Sequence, residues 1–137
     1  MQVSKNFHIK EFVPVEIFQR WGSRSIWFVD PKLIELVQVI RDKFGPTTIN
    51  GGSYNMSGFR PMTTSVGGKL SQHRFGRAAD LKFEDYSPQE VYRAILEDEA
   101  YWMGKGLTTL ENISATPTWL HVDIRPTGLN NILIVNP

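Results

Sequence analysis

The chain has no cysteine. That absence excludes a disulfide framework, a thiol nucleophile and any cysteine-rich metal site. It leaves the redox compartment open, because a cysteine-free chain tolerates either state. Net charge is nearly absent too: 15 Lys and Arg stand against 14 Asp and Glu, a formal +1. Such a balance supplies no global attraction to nucleic acid or to an anionic membrane. No apolar run approaches the ~20 residues of a membrane span. The opening Met1-Gln2-Val3-Ser4-Lys5-Asn6-Phe7-His8 lacks the apolar core of a signal peptide. The expectation is a chain made in the cytoplasm and, if it works elsewhere, delivered by something else. Internal repeats and low-complexity segments are also missing.

What is present suits an ordinary globular protein: 137 residues, 41% hydrophobic, 21% charged and 12% aromatic. That length predicts a single domain, residues 1–137, with one sizeable core and room for a site. Residues 1–30 mix aromatics and charges without a clean period, which predicts short helices and loops wrapped around the core. Asp30 is a good N-cap and Pro31 suits the first helical position. Leu33, Val37, Ile40 and Phe44 then recur at helical spacing, and Gly45-Pro46 ends the helix. Thr47–Asn50 predicts a short strand. Residues 51–77, rich in Gly, Ser, Thr and basic residues, predict a long loop of the functional kind. Ala78–Phe83 predicts a strand. Ser87-Pro88-Gln89-Glu90 forms a capping box that opens a helix to about Glu97. Further strands are expected over 107–113, 118–125 and 131–136. This order predicts an α+β fold, a small, mostly antiparallel sheet with flanking helices.

Three segments carry more than folding requires. In Thr118-Trp119-Leu120-His121-Val122-Asp123-Ile124-Arg125, alternation puts Leu120, Val122 and Ile124 on a core-like face. Trp119, His121, Asp123 and Arg125 share the other face. By itself this is also how the polar side of a half-exposed strand looks. In Ser71-Gln72-His73-Arg74-Phe75-Gly76-Arg77-Ala78-Ala79-Asp80, Asp80 falls inside a strand otherwise built from Ala79, Leu81 and Phe83. An ionised Asp is disfavoured there and costly to bury alone, so it needs Arg, Lys or a metal as a partner. A turn followed by an Asp–Arg salt bridge is one outcome. Two His and one Asp also match the three protein ligands of an open catalytic zinc site, with a position left for water. In Ser57-Gly58-Phe59-Arg60-Pro61, the Arg is either surface decoration or a fixed fork for a carboxylate or a developing oxyanion.

In this order and spacing the three segments resemble the D-Ala-D-Ala carboxypeptidase family of zinc peptidases, VanX/VanY-like, with its compact bacteriophage-type members. The hedgehog signalling domain shares that fold. The resemblance runs from about Lys5 to Arg125 and includes the opening Asn6-Phe7 and Glu11-Phe12 of the phage-type members. It implies His73, Asp80 and His121 as ligands of one zinc ion. It implies Arg60 as the residue that polarises the scissile carbonyl or steadies the oxyanion, and Ser71 as a substrate-binding residue. Trp119 either lines a substrate groove or covers the sheet. The implied activity is cleavage of D-alanine-containing stem peptides of peptidoglycan.

The chain departs from the family at one position. VanX- and VanY-like members carry an acidic residue three positions before the last His, and here Thr118 stands there. Threonine is no general base near neutral pH. Asp123 lies on the same strand face as His121, about 6–7 Å along the chain, and is one replacement. It could equally orient Arg125 or a ligand. Glu111 is the other, if residues 107–113 pair with 118–124. Lys69, Arg74 and Arg77 surround the His73 motif and either attract wall-peptide carboxylates or form a solvated basic loop.

Two functions follow. One is a zinc peptidase acting at the bacterial cell wall, as a phage lysin or as a virion component in contact with other virion proteins. The other is a catalytically inactive module that keeps zinc as a structural staple, a use plausible in so small a chain. Neither nucleic acid nor membrane is an expected partner.

Overall fold

The computed structural model describes residues Met1 to Pro137. Its best-defined helices begin where capping chemistry dictates. Asp30 accepts a hydrogen bond from the Lys32 backbone N–H, and helix α2 follows over Pro31–Phe44. Ser87 and Glu90 exchange both bonds of a capping box, and α3 follows over Pro88–Glu97. Among residues 1–30, α1 (Val15–Trp21) and short 3-10 turns at Ile9–Glu11 and Gly22–Phe28 wrap one side of the molecule. A short helix α4, Glu99–Gly104, follows α3 and was not expected from the pattern. Its anchor is Trp102, buried and stacked on Phe44 with ring centroids 5.8 Å apart. No helix is long and apolar enough to cross a membrane.

The strands are β1 (Thr47–Thr48), β2 (Ala78–Phe83), β3 (Thr109–Glu111), β4 (Leu120–Asp123) and β5 (Leu133–Val135). They form one five-stranded sheet in the order β1-β2-β4-β3-β5. The β1–β2, β2–β4 and β3–β4 pairings are antiparallel, whereas β3 and β5 run parallel, so the sheet is mixed. The fold class is therefore α+β as expected. The last strands are shorter than the expected 107–113, 118–125 and 131–136. A turn at residues 113–115 ends β3, a second turn at Pro117-Thr118 delays β4, and Pro126 lies beyond it.

Alternation along these strands separates two faces. Ala79, Leu81, Leu110, Leu120 and Val122 are fully buried on one. They join one apolar core with Leu33, Leu36, Val37 and Ile40 of α2 and Val91 and Ile95 of α3. The opposite face carries Asp80 and Lys82 on β2, Thr109 and Glu111 on β3, and His121 and Asp123 on β4. The core thus holds rigid the strands whose other side bears the polar residues.

Gly76 sets the entry to β2. It is left-handed, φ 67°, and closes the 3-10 turn Gln72–Phe75. A Cβ there would lie 2.0 Å from the Phe28 carbonyl oxygen. Gly76→Ala combines left-handed strain with a clash against backbone, and is expected to destabilise by roughly 2–5 kcal/mol. A lowered urea midpoint with an unchanged slope checks this; an unchanged midpoint contradicts it.

Candidate metal centre

Sheet register assembles the site. Asp80 on β2 lies directly opposite His121 on β4. On the other side of β4, Leu110 pairs with Val122, so Glu111 comes opposite His121 one residue later. Asp80, His121 and Glu111 therefore form a row across adjacent strands on one face. His73 enters this row from the 3-10 turn Gln72–Phe75, just before β2. One ligand atom from each of His73, Asp80 and His121 lies within 4.8 Å of the others, and all three residues are buried. His73 Nε2 is 3.3 Å and His121 Nδ1 3.0 Å from Asp80 Oδ1.

Each imidazole is held from its far edge. His73 Nδ1 is 2.8 Å from the Gly58 carbonyl oxygen and donates to it, which turns the Nε2 edge of the ring toward Asp80. Gly58 can stand there only as glycine: an added Cβ would lie 2.3 Å from the Phe12 carbonyl oxygen. His121 Nε2 is 2.8 Å from Asp123 Oδ2. Asp123 in turn accepts from the Arg125 backbone N–H and guanidinium. Asp80 Oδ2 accepts from Arg60 Nη2 at 3.1 Å, and Arg60 Nε donates to the Met56 carbonyl. Histidines whose second nitrogen is fixed by a carbonyl or a carboxylate are arranged as metal-binding histidines are. The buried His73-Asp80-His121 group can bind a metal ion. Its two nitrogens and one oxygen suit a borderline divalent cation, and three protein donors leave a coordination position open.

Electrostatics point the same way. Burial opposes charge on His121, but hydrogen bonds to Asp123 and Asp80, and the charges of Asp80 and Glu111, outweigh it and raise its pKa to about 9. Burial would raise Asp80, yet the hydrogen bonds and charges of His121 and His73 hold it well below the usual carboxylate range. In the metal-free protein at neutral pH a proton therefore sits on His121 where a cation would bind. Metal uptake at pH 7 is expected to release about one proton. Apparent metal affinity should fall about tenfold per unit as pH drops below the His121 value, because the proton then competes for Nδ1. Titration calorimetry in buffers of different ionisation enthalpy reads that proton; a pH-independent affinity contradicts it.

Of the two readings of Asp123, the geometry matches the orienting one. Its carboxylate is fully buried on the Nε2 edge of His121, away from the Nδ1 that faces the ligand group. It orients the imidazole and is not positioned as a base there. Asp123→Asn is expected to weaken metal binding about 10–100-fold through loss of that orientation. Competition with a chromogenic chelator measures it, and an unchanged affinity removes Asp123 from this role. Glu111 faces the group instead, with Oε1 3.4 Å from His121 Nδ1 and a side chain 18% exposed.

The other expected residues fall around the cluster. Ser71 and Trp119 are half-buried and line a cavity of about 770 Å³ that also contains Glu111, His73 and His121. Thr118 is exposed in the turn before β4, outside the cluster. Arg74 does not face the cluster: its guanidinium donates to the Met62 and Thr64 carbonyls and fastens the loop. Lys69 is exposed. The sequence reading missed Lys82, whose Nζ donates to the carbonyls of Ile49 and Asp80 and to Ser57 Oγ. Its position two residues after Asp80, on the same strand face, was the available signal. Burial lowers its pKa to about 8, against the opposing charge of Asp80. Comparison of the chain with protein-family models, with curated proteins and with solved structures finds no match.

Proposed function

We propose that the chain is a zinc-dependent peptidase of the D-Ala-D-Ala carboxypeptidase type, with the hedgehog-like version of the α+β fold, acting on D-alanine-containing stem peptides of peptidoglycan. The observation that carries this is the convergence of His73, Asp80 and His121 into one buried group, with the far nitrogen of each imidazole fixed by the protein. Zinc bound there would supply Lewis-acid polarisation of a carbonyl and a lowered pKa for water.

The chain's own residues account for the remaining chemistry. Glu111 borders the open side of the group and acts as the general base, then as the acid. Hydrolysis consumes one water: its oxygen bonds to the carbonyl carbon, the C–N electron pair passes to nitrogen, and the proton taken by Glu111 goes to the leaving amine. Arg60, held on Asp80, meets negative charge developing on the carbonyl oxygen. Ser71 and Trp119 line the cavity and contact the peptide. The setting proposed is the bacterial cell wall, reached by a bacteriophage lysin or by a virion component that opens the wall during entry, beside other virion proteins.

Mass spectrometry of peptidoglycan fragments incubated with the zinc-loaded protein tests this, with His73→Ala as control. Products that vanish in the control support it. A zinc-occupied protein that yields none across several wall chemistries overturns it and leaves the zinc-stapled binding module.

A further inference from the structure

Tryptophan is highly buried on average, because its ring removes so much apolar surface from water. Two of the four tryptophans here depart from that rule: Trp27 is 77% exposed and Trp21 39%. Both belong to the segment that joins α1 to α2. Arg24 precedes Trp27 by three residues in the 3-10 turn Gly22–Phe28, and side chains three apart eclipse in such a helix. Arg20 and Arg24 are exposed as well, and the Arg20 guanidinium lies over the Trp21 ring, 5.3 Å from its centroid. The Trp21 ring also meets Phe28 edge to face, with centroids 6.3 Å apart, which keeps it beside the Trp27 end of the turn. Two flat rings and two guanidiniums thus share one exposed turn, and neither the core nor the metal centre uses Trp27.

Charge and size indicate the partner. Residues 1–77 hold eleven Lys and Arg against five Asp and Glu, whereas residues 78–137 hold four against nine. The turn lies in the basic part, which favours an anionic partner. A stable protein interface needs about 800 Å² on each side, more than two half-open indoles supply at about 150–250 Å² each. Docking on an anionic bilayer draws on clusters of about 4–8 Lys or Arg, and this turn has two. A sugar strand is narrow, and the C–H faces of its rings stack on the electron-rich face of an indole. The strand of a bacterial wall also bears carboxylates, on its stem peptides or, once these are removed, on its lactyl groups, and these suit Arg20 and Arg24. The position fits too. Phe28 stacks on Phe59 at 5.1 Å, and Phe59 directly precedes Arg60. Three residues of stem span about 10 Å, so a strand held on the turn keeps its own stem close to the metal centre.

We propose that Trp21, Arg24 and Trp27 form a glycan-binding site that holds the sugar strand of peptidoglycan beside the metal centre. This rests on the cell-wall reading above and adds the polymer backbone to the stem peptide as a ligand.

The probe is soluble glycan strands stripped of their stem peptides, given to isotope-labelled protein with and without added zinc. The strands should shift the indole N–H resonances of Trp21 and Trp27 and the amide of Arg24, and leave the buried Trp102 in place. Trp27→Ala should weaken binding about tenfold or more while keeping the urea midpoint, since the ring is mostly in solvent. Arg24→Ala should weaken it less and flatten its dependence on salt. No shifts, or shifts confined to Trp119 in the catalytic cavity, overturn the glycan site. Unchanged affinity in both variants, or tighter binding to phosphatidylglycerol vesicles than to the strands, overturns it as well. None of these outcomes touches the peptidase reading, which stands or falls on released peptide products. Strands bound at Trp27 with no products released keep the glycan site and overturn the peptidase.

Discussion

Glu111→Gln is expected to keep its bound metal and to lose turnover by about 10²–10⁴-fold, the range a positioned general base contributes. The substitution preserves shape while it removes the negative charge and the ability to take a proton. Glu111 lies outside the ligand group of His73, Asp80 and His121, so metal content should stay at that of the unaltered protein. Its placement follows from register: the step beyond the Leu110–Val122 pair brings it beside His121, on the open side of the cluster. Asp123→Asn is the opposite case, because Asp123 sits behind the ring and is fully buried. It should bind metal more weakly, yet recover much of its turnover when metal is saturating. Kinetics at saturating zinc, with metal content measured on the same samples, separate the two. Full turnover in Glu111→Gln, or loss in Asp123→Asn that saturating metal does not restore, reverses the assignment.

Asp80→Ala should have an effect of similar size on a different quantity. Asp80 is at once a donor in the ligand group, the acceptor for Arg60, and a negative charge within 3.3 Å of both imidazoles. Its removal takes away one of three protein donors, and stoichiometric metal binding should be lost. It also strands the Arg60 guanidinium, whose side chain is only 13% exposed. Breaking one member of a buried ion pair costs about 3–5 kcal/mol, so the metal-free protein should also unfold at a lower urea concentration. Metal analysis and urea titration with chelator present test the two effects separately. Normal metal content would sink the ligand assignment. Lost metal with unchanged metal-free stability would show that Arg60 finds another partner.

The parts of this molecule legible in its sequence are those fixed by local chemistry. Asp30-Pro31 and Ser87-Pro88-Gln89-Glu90 announce α2 and α3 because a cap is satisfied within a few residues. Asp80 stands out because a carboxylate inside an apolar strand demands a partner, and His73 and His121 are indeed beside it. What stayed hidden depends on contacts between distant segments. Whether Asp123 or Glu111 faces the cluster is decided by the β3–β4 register and by which ring nitrogen each carboxylate meets, and spacing fixes neither. The parallel β3–β5 pairing depends on how the chain returns after β4. Helix α4 has a weak local signal and is held by the stacking of Trp102 on Phe44. The bond to Gly58 that orients His73 spans 15 residues of an irregular loop.

The sheet order has a consequence for the birth of the molecule. β4 lies in the middle of the sheet but near the end of the chain, between β2 and β3. As a nascent chain leaves the ribosome, β2 and β3 emerge first and each waits with an unsatisfied edge. Neither the sheet nor the ligand group can close until β4 slots between them. Such late, long-range closure slows folding and leaves the waiting edges open to pairing with other chains. Release of a chain ending before Leu120 should therefore produce aggregates, with no partly active, metal-binding fragment among the products.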